Sequence, residues 1–125
     1  MDPVPGRWEP PPGGILDLDE TIDEGLSREV SEETGPVVEI DLLTGVNRNM
    51  THGIIALVFR CHVVDGTLQP TPEASEATWL TSDEVRERMS PAFAIRLLDA
   101  IKEHGHSPAV RTHDGTDLLT DKARP

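Results

Sequence analysis

The chain is expected to fold as an α/β or α+β layered domain, and three stretches of sequence carry that expectation. Ile22, Leu26 and Val30 recur every four residues, the spacing of one helix face. Val38, Ile40 and Leu42 alternate with Glu39 and Asp41, the period of a half-buried strand. Gly53 to Val64 is an apolar run rich in branched residues and bounded by Asp65-Gly66, which reads as a buried strand. With 125 residues and 36% apolar content, the chain is one small domain with a modest core.

Residues 1–14 hold five of the eleven prolines and end in Gly13-Gly14, so extended and turn-rich backbone is expected, with Trp8 the one anchor. The first helix spans residues 21–34, opened by a Thr21/Glu24 capping box and stopped by Gly35-Pro36. A polar loop over residues 45–52 separates the two strands, and Thr78 to Leu80 is a weaker strand candidate. A short helix starts at Ser82 behind a Thr81/Glu84 capping box, and a longer one runs from Ser90-Pro91 to about His104. Phe93, Ile95, Leu97, Leu98 and Ile101 form that last helix's core face. Residues 105–125, punctuated by Gly105, Pro108 and Gly115, are expected to be a loose polar tail with a local contact through Leu118-Leu119, leaving the domain at 1–104.

Eleven basic against twenty-three acidic residues leave a formal charge of −12, which repels a nucleic-acid polymer or an anionic membrane surface. The longest apolar stretch is too short to span a bilayer, and a cytoplasmic protein is expected. Cys61, the single cysteine, lies among Val58, Phe59, Val63 and Val64 and is expected to be buried and inert. The five histidines (His52, His62, His104, His106, His113) show no metal-ligand spacing with that cysteine, so no zinc site is expected.

Chemistry concentrates between Asp17 and Glu33, where eight carboxylates stand against one base, Arg28. On an ideal wheel of about 100° per residue, Glu33 falls about 20° and Glu29 about 340° from Ile22, with Glu32 at about 280°. Glu29 and Glu33 therefore border or enter the apolar stripe, where a helix needing only solubility would not put them. Partly sheltered carboxylates on one arc repel each other unless a cation neutralises them, and hard divalent ions such as Mg²⁺ or Mn²⁺ suit such oxygens. Gly25 lies on the same arc and permits close approach, and Arg28 can pair with Glu24 and Glu32 at four-residue spacing. A solvated acidic face with ordinary helical ion pairs is the competing reading. A calcium loop starting at Asp17 fails, because Ile22 stands where glycine is needed and Arg28 where the bidentate Glu is needed.

The same segment resembles the Nudix box, G-x5-E-x7-R-E-U-x-E-E-x-G-U with U a bulky aliphatic residue. It reads Gly14, Glu20, Arg28, Glu29, Val30, Glu32, Glu33 and Gly35, departing only at the last aliphatic position, which is Pro36. The resemblance implies a Nudix-type α/β/α sandwich with a mixed sheet, here short of an N-terminal strand because seven residues precede Trp8. It implies hydrolysis of a nucleoside diphosphate linked to another group, water attacking phosphorus. By similarity Glu29, Glu32 and Glu33 bind Mg²⁺ with a backbone carbonyl at Gly13 or Gly14, Arg28 and Glu20 orient that shell, and Glu32 or Glu29 is the base. Glu73 or Glu76 could be a base from outside the box. A metal would also explain how so acidic a protein binds an anionic substrate.

Arg48 and Asn49 in the polar loop, with Trp8 and Glu76, are further candidates for substrate contact. The family cues for ADP-ribose and dinucleoside polyphosphates are absent: Met50 stands where a proline is expected fifteen residues past Gly35, and the chain has no tyrosine. An uncovered sheet edge suggests a homodimer. The alternative to an enzyme is a Nudix-fold domain that binds a nucleotide and regulates without turnover.

Overall fold

A computed structural model describes residues 16–72, 74, 76–102 and 107–119. Its elements run α1 (Ile22–Thr34), β1 (Val37–Asn49), β2 (Ile54–Asp65), α2 (Ser82–Arg88), α3 (Pro91–Ile101) and β3 (Ala109–His113). The strands form one sheet in the order β2-β1-β3. β1 and β3 are parallel, from Gly45 opposite Ala109 to Asn49 opposite His113. The connection from β1 to β2 is a four-residue turn over residues 50–53, far shorter than a parallel crossover needs, so that pair is antiparallel and the sheet is mixed.

The chain divides into two compact units. Among the described residues, one holds 42–60 and those from 80 on, the other 16–41 together with those of 61–79.

In the first unit the apolar core is Val85, Met89 and Ala94, with Leu80, Phe93, Leu97 and Leu98 packed against it. α2 starts as expected: Thr81 and Glu84 exchange hydrogen bonds of 3.2 and 3.0 Å between side chains and backbone. α3 begins at Pro91, whose absent N–H costs nothing there. Ser90 makes no side-chain cap, and the Ala92 N–H donates instead to the Thr116 carbonyl at 2.9 Å. α3 ends at Ile101 rather than near residue 104, and Ile101 is 66% exposed, so it does not belong to the core face.

The expected loose tail is corrected most. Residues 109–113 are a strand, and Leu119 N–H donates to Thr112 at 2.9 Å, so the expected contact through Leu118-Leu119 is present. β3 is held by polar contacts to α3, with Arg111 Nε and Nη2 donating to Asp99 at 3.0 and 2.9 Å. A five-residue strand carrying Arg111, Thr112 and His113 has no apolar period by which a sequence could reveal it.

β3 also explains a second difference. Gly45 to Asn49, read from sequence as a loop, continue β1, because β3 supplies their parallel partners. Thr44 and Asn47 are fully buried there, and the Thr44 hydroxyl donates to the Val58 carbonyl at 3.2 Å.

β2 is a strand but not a buried one. Ile54, Ile55 and Leu57 are each about half exposed, because β2 pairs with β1 alone among the described residues. Residues 78–80 form no strand, and the segment from Gly66 to Leu80 is irregular in the described residues. No helix among the described residues is long and apolar enough to cross a membrane.

Candidate active site

α1, in the second unit, carries the carboxylates. Its start is tied by the capping box, Glu24 N–H to Thr21 Oγ1 at 3.1 Å and Thr21 N–H to Glu24 Oε1 at 3.4 Å. It ends at Gly35, whose φ of 106° excludes most side chains and whose N–H donates to Ser31 at 3.0 Å. Gly25 is buried, and a Cβ there would collide with the Leu16 side chain and press Glu20 Oε1 at 3.3 Å. The glycine thus seats Leu16 and Glu20 against the helix, where the sequence suggested a backbone or a substrate.

Arg28 organises this face. Its Nε donates to Glu20 Oε2 at 2.6 Å and its Nη2 to Glu20 Oε1 at 2.9 Å, a two-pronged pairing that fixes the guanidinium plane. Its Nη1 donates both to Glu29 Oε1 at 3.1 Å and to Glu32 Oε2 at 3.2 Å, and Asp17 stands 3.8 Å from Nη2. The expected pairing with Glu32 is present, whereas the one with Glu24 is not, because Glu24 serves the cap. The Arg28 guanidinium, helped by the Asp17 N–H at 2.9 Å, lowers the Glu20 carboxyl to about 2. The same pairing raises Arg28 above its ordinary value.

Glu29 and Glu32 therefore converge on one positively charged nitrogen. The Glu29 side chain is sheltered at 18% exposure, and that of Glu32 is open at 49%. Glu33 is half-buried on the same last turn. That turn carries no basic residue, although the C-terminal end of a helix is its negative end and favours cations. Carboxylates at that end cost about 0.3–1 kcal/mol each unless a cation offsets them. The donor set is all hard oxygen, the ligand type that divalent ions take, and it already closes around a cationic group. Among the described residues no three His, Cys, Asp or Glu side chains stand where together they could hold a metal ion, and the guanidinium is the cation that the carboxylates hold here.

A model of the NUDIX domain matches residues 2–101. The chain belongs to the Nudix family. With its relatives below, this places it among hydrolases acting on pyrophosphate bonds. It is 54% identical over 114 residues to a MutT-like protein of Streptomyces ambofaciens, covering 91% of this chain and 72% of the relative. It is 36% identical over 70 residues to an ADP-ribose pyrophosphatase of Methanocaldococcus jannaschii, covering 53% of this chain and 41% of that protein. The fold matches the crystal structure of an ADP-ribose pyrophosphatase from Streptococcus suis with a TM-score of 0.61 at 21% identity, over 83% of this chain and 81% of the other. The α/β class and the Nudix fold read from the sequence are those of the molecule.

Of the Nudix box, Glu20, Arg28, Glu29, Val30, Glu32, Glu33 and Gly35 lie on or beside α1, and Gly13 and Gly14 fall outside the described residues. Trp8, Glu73, His104 and His106 fall outside them too. Glu76 is exposed on the irregular segment after β2. Arg48 is exposed, its Nη1 donating to the Gly53 carbonyl at 3.5 Å. Asn49 is committed to the turn, its Oδ1 accepting from the N–H groups of Thr51 at 3.0 Å and His52 at 3.3 Å. Cys61 is half-buried rather than buried, and burial, with Asp41 and Asp23 nearby, pushes its thiol up. Sequence reasoning missed Gln69 and Thr71, which reach the end of α1 from the loop after β2. Their distance along the chain from the box leaves no local signal to find them by.

Proposed function

We propose that this Nudix protein hydrolyses a nucleotide-type diphosphate, a nucleoside diphosphate joined to another group, with Mg²⁺ or Mn²⁺ at the C-terminal end of α1. The observation carrying this reading is the convergence of Glu29 and Glu32 on one cationic nitrogen, at 3.1 and 3.2 Å, at a helix end that favours positive charge. Glu29, Glu32 and Glu33 would hold the ion, with the backbone at Gly13 as a further oxygen. Such an ion, when bound, offsets the diphosphate's charge and polarises the attacking water. Glu20 and Arg28 set the directions in which Glu29 and Glu32 point. Glu32, the more exposed of these two, takes the proton from the water, since a base must reach its substrate. Glu76, exposed and in the same unit as α1, is a candidate to contact the substrate.

The names of the relatives put ADP-ribose first among substrates to try, although Met50 lacks the proline cue for it. A homodimer is part of the same reading, supported by the exposed Ile55 and Leu57 of β2, and so is a cytoplasmic location, where nucleotide diphosphates are at hand. The test is a panel of nucleoside triphosphates, nucleotide sugars, ADP-ribose, NADH and oxidised nucleotides with Mg²⁺ or Mn²⁺, beside Glu32→Gln. Turnover that falls at least about 100-fold in the variant supports the reading. Folded protein that binds a nucleotide and turns none over replaces it with a regulatory domain.

A further inference from the structure

The loop that follows β2 returns to the last turn of α1. Thr71 Oγ1 donates to the Glu33 carbonyl at 2.8 Å, and the Gln69 N–H donates to the Thr34 carbonyl at 2.9 Å. These are two of the four carbonyls that a helix leaves without internal partners. The Thr71 hydroxyl is itself held: it accepts from the Ala74 N–H at 3.2 Å, while the Thr71 N–H donates to the Ala74 carbonyl at 2.9 Å. Accepting from one side, the hydroxyl has its proton aimed at Glu33. The loop comes so close because Gly35 has no side chain; a Cβ there would stand 2.7 Å from the Thr67 carbonyl oxygen.

Glu33 and Glu32 sit on that turn, so its backbone decides where their carboxylates point. Helix ends fray unless something outside the helix ties them, and this end also carries acidic residues without a base. We propose that Thr71 is a positioning residue, whose hydroxyl pins the last turn of α1 so that Glu33 and Glu32 are presented to a divalent ion. The role rests on the reading of α1 as the ion-binding helix. It requires the hydroxyl and not the bulk of the side chain, so valine, which has the same shape, removes it and serine keeps it.

The test is Mn²⁺ titration of the full chain without substrate, following the paramagnetic resonance of free Mn²⁺, for wild type, Thr71→Val, Thr71→Ser and Glu32→Gln. Thr71→Val is expected to weaken Mn²⁺ binding by about 10-fold, the size usual for partners that orient metal ligands. Thr71→Ser stays within about twofold of wild type, and the Mn²⁺ concentration for half-maximal turnover moves in parallel. Wild-type affinity in a folded Thr71→Val overturns the role of Thr71 alone. So does a Thr71→Val chain that fails to fold, which makes the hydroxyl a requirement of the fold. A wild-type chain that binds no Mn²⁺, or one whose affinity Glu32→Gln leaves unchanged, overturns the reading of α1 and this role with it.

Discussion

Glu20 and Arg28, eight residues apart, meet through two parallel hydrogen bonds of 2.6 and 2.9 Å, and the remaining Nη1 of Arg28 spans Glu29 and Glu32. One guanidinium thus passes the position of a loop carboxylate on to two helix carboxylates. Lysine has the charge but not the planar fork, so it cannot pair two-pronged with Glu20 while a separate nitrogen spans Glu29 and Glu32. Arg28→Lys is expected to lower turnover by about 10- to 100-fold at a fixed subsaturating Mn²⁺ concentration. A steady-state assay across a Mn²⁺ series checks this, and an unchanged curve would remove Arg28 from the site.

Acid should weaken the fold in two stages. His113 is fully buried, its Nδ1 accepting from the Gly115 N–H at 2.9 Å and its Nε2 facing Arg96 Nη2 at 3.2 Å. Burial and then the Arg96 guanidinium hold it below its ordinary value of 6.5, Asp114 pulling the other way. The unfolded histidine gains a proton that the folded one refuses, so stability falls as pH drops below about 6.5. Glu20 is depressed from 4.5 to about 2, so its contribution is complete above 4.5 and is lost as pH falls toward 2. Thermal melts from pH 8 to 3 should show both declines, and His113→Gln should flatten the upper one.

Gly25→Ala sets two effects against each other. Alanine is favoured over glycine in a helix by about 1 kcal/mol. Here its methyl would collide with Leu16 and crowd Glu20, an overpacking that costs about 1–3 kcal/mol. The collision should win, giving a net loss of about 1 kcal/mol and a lower melting temperature. A stabilised variant would show that Leu16 does not rest there.

Asp99 is 1% exposed and receives both prongs of Arg111. Asp99→Ala would leave the guanidinium without that carboxylate. The Arg111 side chain is 34% exposed and can recover water, so the expected loss is about 2–3 kcal/mol, below the about 3–5 of a fully buried pair. Urea unfolding followed by circular dichroism measures it. A smaller loss, under about 0.5 kcal/mol, would mean that the Asp99–Arg111 pair does not help to hold β3.

Features written in local spacing can be read from the chain before it folds. The Thr21/Glu24 and Thr81/Glu84 caps, the Gly35-Pro36 stop and the Ile22-Leu26-Val30 stripe place α1 and the start of α2, because each signal lies within a turn or two of the element it defines. The Nudix box is equally local, so Glu20, Arg28, Glu29, Glu32 and Glu33 could be named from their order alone. The tertiary structure decided what depends on partners far along the chain. Gly45 to Asn49 are strand because β3 lies beside them, and β3 is strand although its residues show no apolar alternation. The apolar run of β2 looked buried because a run of branched residues reports hydrophobicity, not which neighbours come to cover it. Thr71, thirty-eight residues from Glu33, could be linked to the end of α1 only by the path of the chain between them. Local propensity and capping act over a few residues, whereas sheet partnership and the closure of a helix end by a distant loop are set once the chain has packed.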